Sequence, residues 1–172
     1  MDVRYRLSQF WHNITAQPLS KFEQEQIANN LTPQELELFL QMSDSDQRHG
    51  YRVYRLLRDN GYTDSDLLAA ALLHDIGKVH ANLSAWDRAM AVLGEALWPG
   101  KAKEWGEGER RGWKRTFVVR ERHAAWGGDM AEKAGSRKAV IDLILHHQDP
   151  QPMNKNESDK RLMLLQWADD QN

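Results

Sequence analysis

Residues 67–78 read LLAAALLHDIGK, and no other stretch constrains the fold as strongly. Seven apolar residues run unbroken into His74 and Asp75, two side chains that can bind metal. A helix apolar on every side has to be buried, which puts this polar pair at the floor of a core. Burying an imidazole and a carboxylate is costly unless they are paired or coordinate a metal. A simple His–Asp hydrogen bond would satisfy them. Other His and Asp residues, however, stand at helix ends that could converge on the pair, and this favours a metal site.

The flanking segments read as helices. Val3, Leu7, Phe10 and Ile14 step by four, three and four, giving one helical face that Pro18 ends. Ser20 with Glu23 and Thr32 with Glu35 are capping boxes, and Pro33 stands at the favoured first helical position. Helices are therefore expected over about 21–30 and 33–42. Ser43, Asp44 and Asp46 lead into the next helix, where His49, Val53, Leu56 and Leu57 share a face, so His49 points into the core. Asn60-Gly61 terminates it. Thr63 with Asp66 is expected to cap the central helix, and the two helices to form a hairpin that brings His49 towards His74 and Asp75. Gly77 then breaks the helix and leaves Lys78 on an irregular turn at the mouth of the site, where it can hold a phosphate oxygen as a point charge. His80 lies close by and is not assigned to the site.

Ser84 with Asp87 opens a helix whose stripe of Trp86, Met90, Leu93 and Leu97 is core packing, stopped by Pro99-Gly100. Residues 101–115, KAKEWGEGERRGWKR, differ in character, with six basic residues, three glycines and two tryptophans. They are read as a mobile basic, Trp-rich loop within 99–116. A helix over about 118–134 carries His123, and Ser136 caps another that finishes at His146-His147 before Pro150. Ser158 caps the last helix, on which Asp169 shares the apolar face of Leu162 and Leu165. The expected architecture is an all-α, single-domain helical bundle. Residues 1–43 form a helical cover and 44–172 the metal-binding core.

Composition narrows the function classes. A formal charge of -2 gives no general attraction for double-stranded nucleic acid or anionic lipid. Cysteine is absent, which excludes disulfides and thiolate metal sites and is compatible with a reducing compartment. The longest apolar run is too short to span a bilayer, and the N-terminal residues lack a signal-peptide pattern. A soluble, cytoplasmic protein without a membrane partner is expected.

The candidate metal ligands are His49, His74, Asp75, His123, His146, His147 and Asp169. Imidazoles and carboxylates without thiolates suit divalent iron or manganese first, with cobalt, nickel or zinc also compatible. Seven ligands are too many for one ordinary ion, and adjacent helical residues diverge by about 100°. Two ions satisfy them better: His49, His74 and Asp169 on one, His123, His146 and His147 on the other, with Asp75 bridging.

The ordered pattern His49, His74-Asp75, His123, His146-His147, Asp169, with HDIGK at its centre, resembles the HD-domain superfamily of metal-dependent phosphohydrolases over roughly residues 44–170. The resemblance is to the dinuclear branch, which includes cyclic-dinucleotide phosphodiesterases and dinucleoside-polyphosphate hydrolases, and it implies a helical bundle of the HD-domain type. There are departures. The cyclic-di-GMP phosphodiesterases carry Gly-Tyr-Pro after the paired histidines, where this chain has Gln148-Asp149-Pro150. The cyclic-di-AMP phosphodiesterases of the superfamily have transmembrane segments. The dinucleoside-polyphosphate hydrolases generally lack the second of the paired histidines. The roughly 47 residues between Asp75 and His123 exceed a minimal HD domain and are the expected source of specificity.

The leading expectation is hydrolysis of a phosphoester or phosphoanhydride in a nucleotide, cyclic dinucleotide or dinucleoside polyphosphate, with a small phosphorylated molecule as partner. Asp75 and Lys78 would carry the chemistry, Lys78 offsetting charge on phosphorus. Arg120 and Arg122, flanking His123, are candidate phosphate contacts. Two other readings keep the site: a diiron oxygenase of the inositol-oxygenase type, and a non-catalytic nucleotide-binding regulatory domain.

Overall fold

The computed structural model describes residues 17–81, 99–106, 112–150 and 156–172, and the regular structure among them is helical. The helical face expected through Ile14 and the helix expected over 84–97 lie outside the described residues. Helices α1 (Lys21–Ala28) and α2 (Pro33–Leu40) both begin with the expected capping boxes. In the second, the Glu35 carboxylate accepts the Thr32 N–H at 2.9 Å while Thr32 Oγ1 accepts the Glu35 N–H at 3.2 Å. Ser43 caps α3 (Asp44–Asp59), and Gly61, at φ 85°, lets the chain turn back.

Helix α4 (Ser65–Leu73) lies at the centre, and residues 67 to 73 are all at most 1% exposed. Each of its four leucines contributes about 1.5–3 kcal/mol by leaving water. Gly50 lets α3 close on α4: a Cβ there would stand 2.8 Å from the Leu72 carbonyl oxygen. That approach delivers the neighbouring His49 to the end of α4. The core cluster also takes in Ile27, Leu31 and Phe39 from the N-terminal segments and Val140, Ile144 and Leu165 from the C-terminal ones.

The cap of α4 is Asp64 rather than the expected Thr63. Its carboxylate accepts both the Asp66 and Leu67 N–H groups, at 2.9 and 3.0 Å. Arg161 pairs with Asp64 at 2.9 Å and Arg137 with Asp66 at 2.8 Å, so ion pairs from two other segments converge on the start of α4. Asp64→Ala is expected to cost about 1–2 kcal/mol, the usual loss for a strong N-cap, read as a lowered midpoint in urea.

After α4 the chain tightens into a 3₁₀ helix, Ile76–Ala81. One expectation about the following region is corrected. Pro99 opens α5 (Pro99–Gly106), because proline suits the first helical turn, where its missing N–H costs nothing, while the helix that Pro99-Gly100 was expected to stop lies outside the described residues. The expected 99–116 loop is therefore partly helical: α5 packs on α6 through Trp105 and Phe117, ring centroids 5.0 Å apart, and Gly112–Lys114 is a 3₁₀ turn into α6 (Arg115–Lys133). Residues 107–111 lie outside the described residues. Helix α7 (Lys138–His146) starts from Arg137 without a side-chain cap, since the Ser136 hydroxyl is buried with no hydrogen-bond partner. Helix α8 (Glu157–Asp170) is capped by Asn156 rather than Ser158: the Asn156 side chain accepts the Asp159 N–H at 2.8 Å. Among the described residues no helix is long and apolar enough to cross a membrane.

Candidate metal centre

Six side chains from five helical segments meet at the end of α4. His49 comes from the inner face of α3 and His74 from the C-cap of α4, with Asp75 following it. His123 comes from the middle of α6, His147 from the C-cap of α7, and Asp169 from the last turn of α8. They fall into two groups, His49–His74–Asp169 and Asp75–His123–His147, and in each group the ligand atoms lie within 4.8 Å of one another.

Asp75 stands between the groups. Its Oδ2 is 3.5 Å from His74 Nε2 and 3.7 Å from His49 Nε2. Its Oδ1 is 3.3 Å from His123 Nε2 and 4.0 Å from His147 Nε2. On the first side Asp169 Oδ1 is 2.8 Å from His49 Nε2 and 3.5 Å from His74 Nε2.

The tautomers are set from behind. The Nδ1–H groups of His74, His123 and His147 donate to the backbone carbonyls of Ala71, Arg120 and Ile144, at 3.0, 3.0 and 2.7 Å. Each ring therefore turns its other nitrogen, Nε2, towards the centre, the outer-shell arrangement that prepares a histidine to ligate. His123 Nε2 and His147 Nε2 then face each other at 3.2 Å, and two lone pairs at that distance need a cation between them. Buried His74 Nε2 has no hydrogen-bond partner. The donor set fits a divalent transition metal: nitrogen and carboxylate oxygen, orphaned and converging.

The electrostatics carry the same sense. Burial disfavours charge on His74, but the Asp75 and Asp169 carboxylates outweigh it and push its pKa up to about 9. Burial also works against ionised Asp75, yet Lys78 and His74 hold it well below the usual carboxylate range; His74 and His49 do the same for Asp169. Burial, reinforced by His74 and His123, brings His147 down to about 3, so that ring stays neutral. In the metal-free protein at neutral pH, His74 thus carries a proton that a metal ion must displace. With its pKa raised to about 9, the ring stays protonated at neutral pH and gives up the proton through about 9, so metal affinity falls as the pH is lowered. Calorimetry of metal uptake at pH 7 in buffers of different ionisation enthalpy should register proton release that fades as the pH approaches 9.

Lys78 lies on the 3₁₀ helix, with Nζ donating to Asp75 Oδ2 at 2.5 Å and its side chain about a third exposed. Burial opposes its charge, but Asp75 and then Asp46 raise its pKa. His146 is not brought into the cluster. Its side chain is 55% exposed and pairs with Asp149 at 2.6 Å, because residues 146 and 147 diverge by about 100° and His147 takes the inward direction. His147→Ala is expected to weaken metal uptake by more than about tenfold. His146→Ala should change it by less than about twofold, as for an exposed site. Metal titrations of the two variants check this. Arg120 and Arg122 are exposed on α6, outside both groups.

Two residues escaped the sequence reading. Asp46, read there only as a polar lead into α3, is buried and accepts the Ser43 hydroxyl at 2.6 Å. The available signal was its position three residues before His49, on the same face. Gln166 is buried and donates to the carbonyls of His147 and Asp149, at 3.2 and 2.8 Å, so α8 fixes the end of α7.

A family model described as the HD domain matches residues 47–170, nearly three quarters of the chain and every member of both groups. The chain belongs to the HD-domain family. It is a superfamily of metal-dependent hydrolases, and the all-α fold and the buried His/Asp cluster agree with membership. Comparison with curated proteins and with solved structures found no match.

Proposed function

We propose that this HD-domain protein hydrolyses a phosphoester or phosphoanhydride of a nucleotide, cyclic dinucleotide or dinucleoside polyphosphate at a dinuclear centre. The observation that carries the reading is Asp75, whose two oxygens face the two separate ligand groups, at 3.5 Å from His74 and 3.3 Å from His123. His49, His74 and Asp169 would hold one ion and His123 and His147 the other, with Asp75 shared. Iron or manganese suits that donor set best. Bound there, the ions supply an acidified water and positive charge against the phosphate oxygens.

The chain's own groups do the rest. Lys78 keeps its ammonium beside Asp75 with part of the side chain open to solvent, placed to bind a non-bridging phosphate oxygen and to offset charge that develops on it. Asp75, and after it Asp46, keep that ammonium charged. The backbone carbonyls behind His74, His123 and His147 fix the rings, so little reorganisation accompanies substrate binding.

The test is phosphate or nucleotide release from a panel of phosphodiesters, nucleoside phosphates and dinucleoside polyphosphates by protein loaded with manganese or iron. Turnover of at least one class, abolished by a chelator, is expected. An inert panel, or oxygen consumption on a polyol without phosphate release, would overturn the proposal.

A further inference from the structure

The two ligand groups differ in how they are enclosed. The side chains of His123 and His147 are 1% and 3% exposed, and that of Asp75 beside them 4%. In the other group His74 is equally buried, but the side chains of His49 and Asp169 are 16% and 34% exposed. One group is closed and the other opens to solvent along one side. Their support differs in the same direction. His123 lies in the middle of α6, its Nδ1 at 3.1 and 3.0 Å from the carbonyls of Val119 and Arg120. His147 is held from behind by the Ile144 carbonyl and through its own carbonyl by Gln166. Among the described residues no hydrogen bond backs the His49 ring, which bonds instead to its fellow ligand Asp169. Asp169 stands in the last turn of α8, and helix ends fray. Lys78 belongs to the open side: its partly exposed side chain bonds Asp75 Oδ2, the oxygen turned towards His49 and His74.

We propose that the two positions are unequal: Asp75–His123–His147 retains its ion, whereas His49–His74–Asp169 exchanges its ion with solvent and is the position that meets the substrate's phosphate, beside Lys78. The proposal rests on the dinuclear, phosphate-binding reading given above. An ion leaves as its ligands swing aside and water takes their place, and the shell around a site controls that access. Local opening is easiest where backbone and side chains are least tied down, which here means His49 and Asp169. Donor number pulls the other way. With His146 turned outward, and counting Asp75 in both, the closed position has three protein donors against four. Fewer donors lower the affinity at equilibrium, but the rate of release follows the access of water, and there burial decides.

The experiment loads the protein with two equivalents of manganese, adds excess chelator, and follows the metal remaining on the protein with time. Two phases of one equivalent each are expected, the second slower by at least about tenfold. Asp169→Asn should remove or hasten the first equivalent and leave the second as it is. His147→Ala should remove the slow equivalent and keep the fast one. Release of both equivalents at a single rate, or loss of the fast phase in His147→Ala, would overturn the division. Inorganic phosphate, added before the chelator, should slow the first equivalent and leave the second unchanged. If phosphate slows neither while the two phases persist, the phosphate-binding reading falls and the unequal positions stand. If it slows only the second, the side assigned to the substrate is wrong. Uptake of a single equivalent would overturn the dinuclear reading and the division together.

Discussion

Asp75→Asn is expected to abolish metal loading and to reduce hydrolysis by more than about 100-fold. Loss of an outer-shell partner alone costs about 10–100-fold in metal affinity or activity, and among the described residues Asp75 is the carboxylate that faces both ligand groups. The substitution is isosteric, so it removes charge rather than volume. Its second effect is on the metal-free protein. Asp75 is 3% exposed and compensates both the Lys78 ammonium and the raised charge of His74. Without the carboxylate those cations are left against each other in a buried site, and breaking a buried pair in this way costs about 3–5 kcal/mol. Elemental analysis and urea unfolding in chelator measure the two effects separately. A variant that loads metal and unfolds like wild type would reduce Asp75 to a bystander.

Gly77→Ala is expected to be as damaging, although it touches no ligand. The added Cβ would meet the His123 carbonyl oxygen at 2.0 Å and the Gly127 amide nitrogen at 2.8 Å. Both are backbone atoms of α6 and cannot rotate aside. Overpacking against side chains costs about 1–3 kcal/mol; here the 3₁₀ helix must lift away from α6, so a loss above about 3 kcal/mol is expected. The lift also draws Asp75 away from His123. Even the folded fraction should therefore take up metal poorly, which a metal titration at low temperature would reveal. Wild-type uptake in a stable Gly77→Ala protein would show that the crossing does not set the site.

Much of this was legible in the sequence because burial and period agreed. The unbroken apolar run before His74 could only be a central helix, and His49 sat on an apolar face that pointed the same way. Asp169 was readable for the same reason. Where two adjacent residues competed for one direction, the sequence could not choose: His146 and His147 both end α7, and only the packing of that helix turns 147 inward. At the start of α4 only Thr63 was read as the cap, and the neighbouring Asp64 takes that place because its carboxylate reaches two N–H groups. Pro99 was read only as a stop; that it opens α5 depends on residues further along the chain, since proline both ends and begins helices. The crossing at Gly77 was legible only as a break. That the break admits another helix backbone depends on residues nearly fifty positions away.

The most direct test of the central claim is the metal content of protein purified without added metal, followed by titration of the stripped protein with manganese. About two equivalents per chain are expected, as in other two-metal hydrolytic sites, and Asp75→Asn should lose both together. Saturation at one equivalent that His147→Ala leaves untouched, or no uptake at all, would contradict the account.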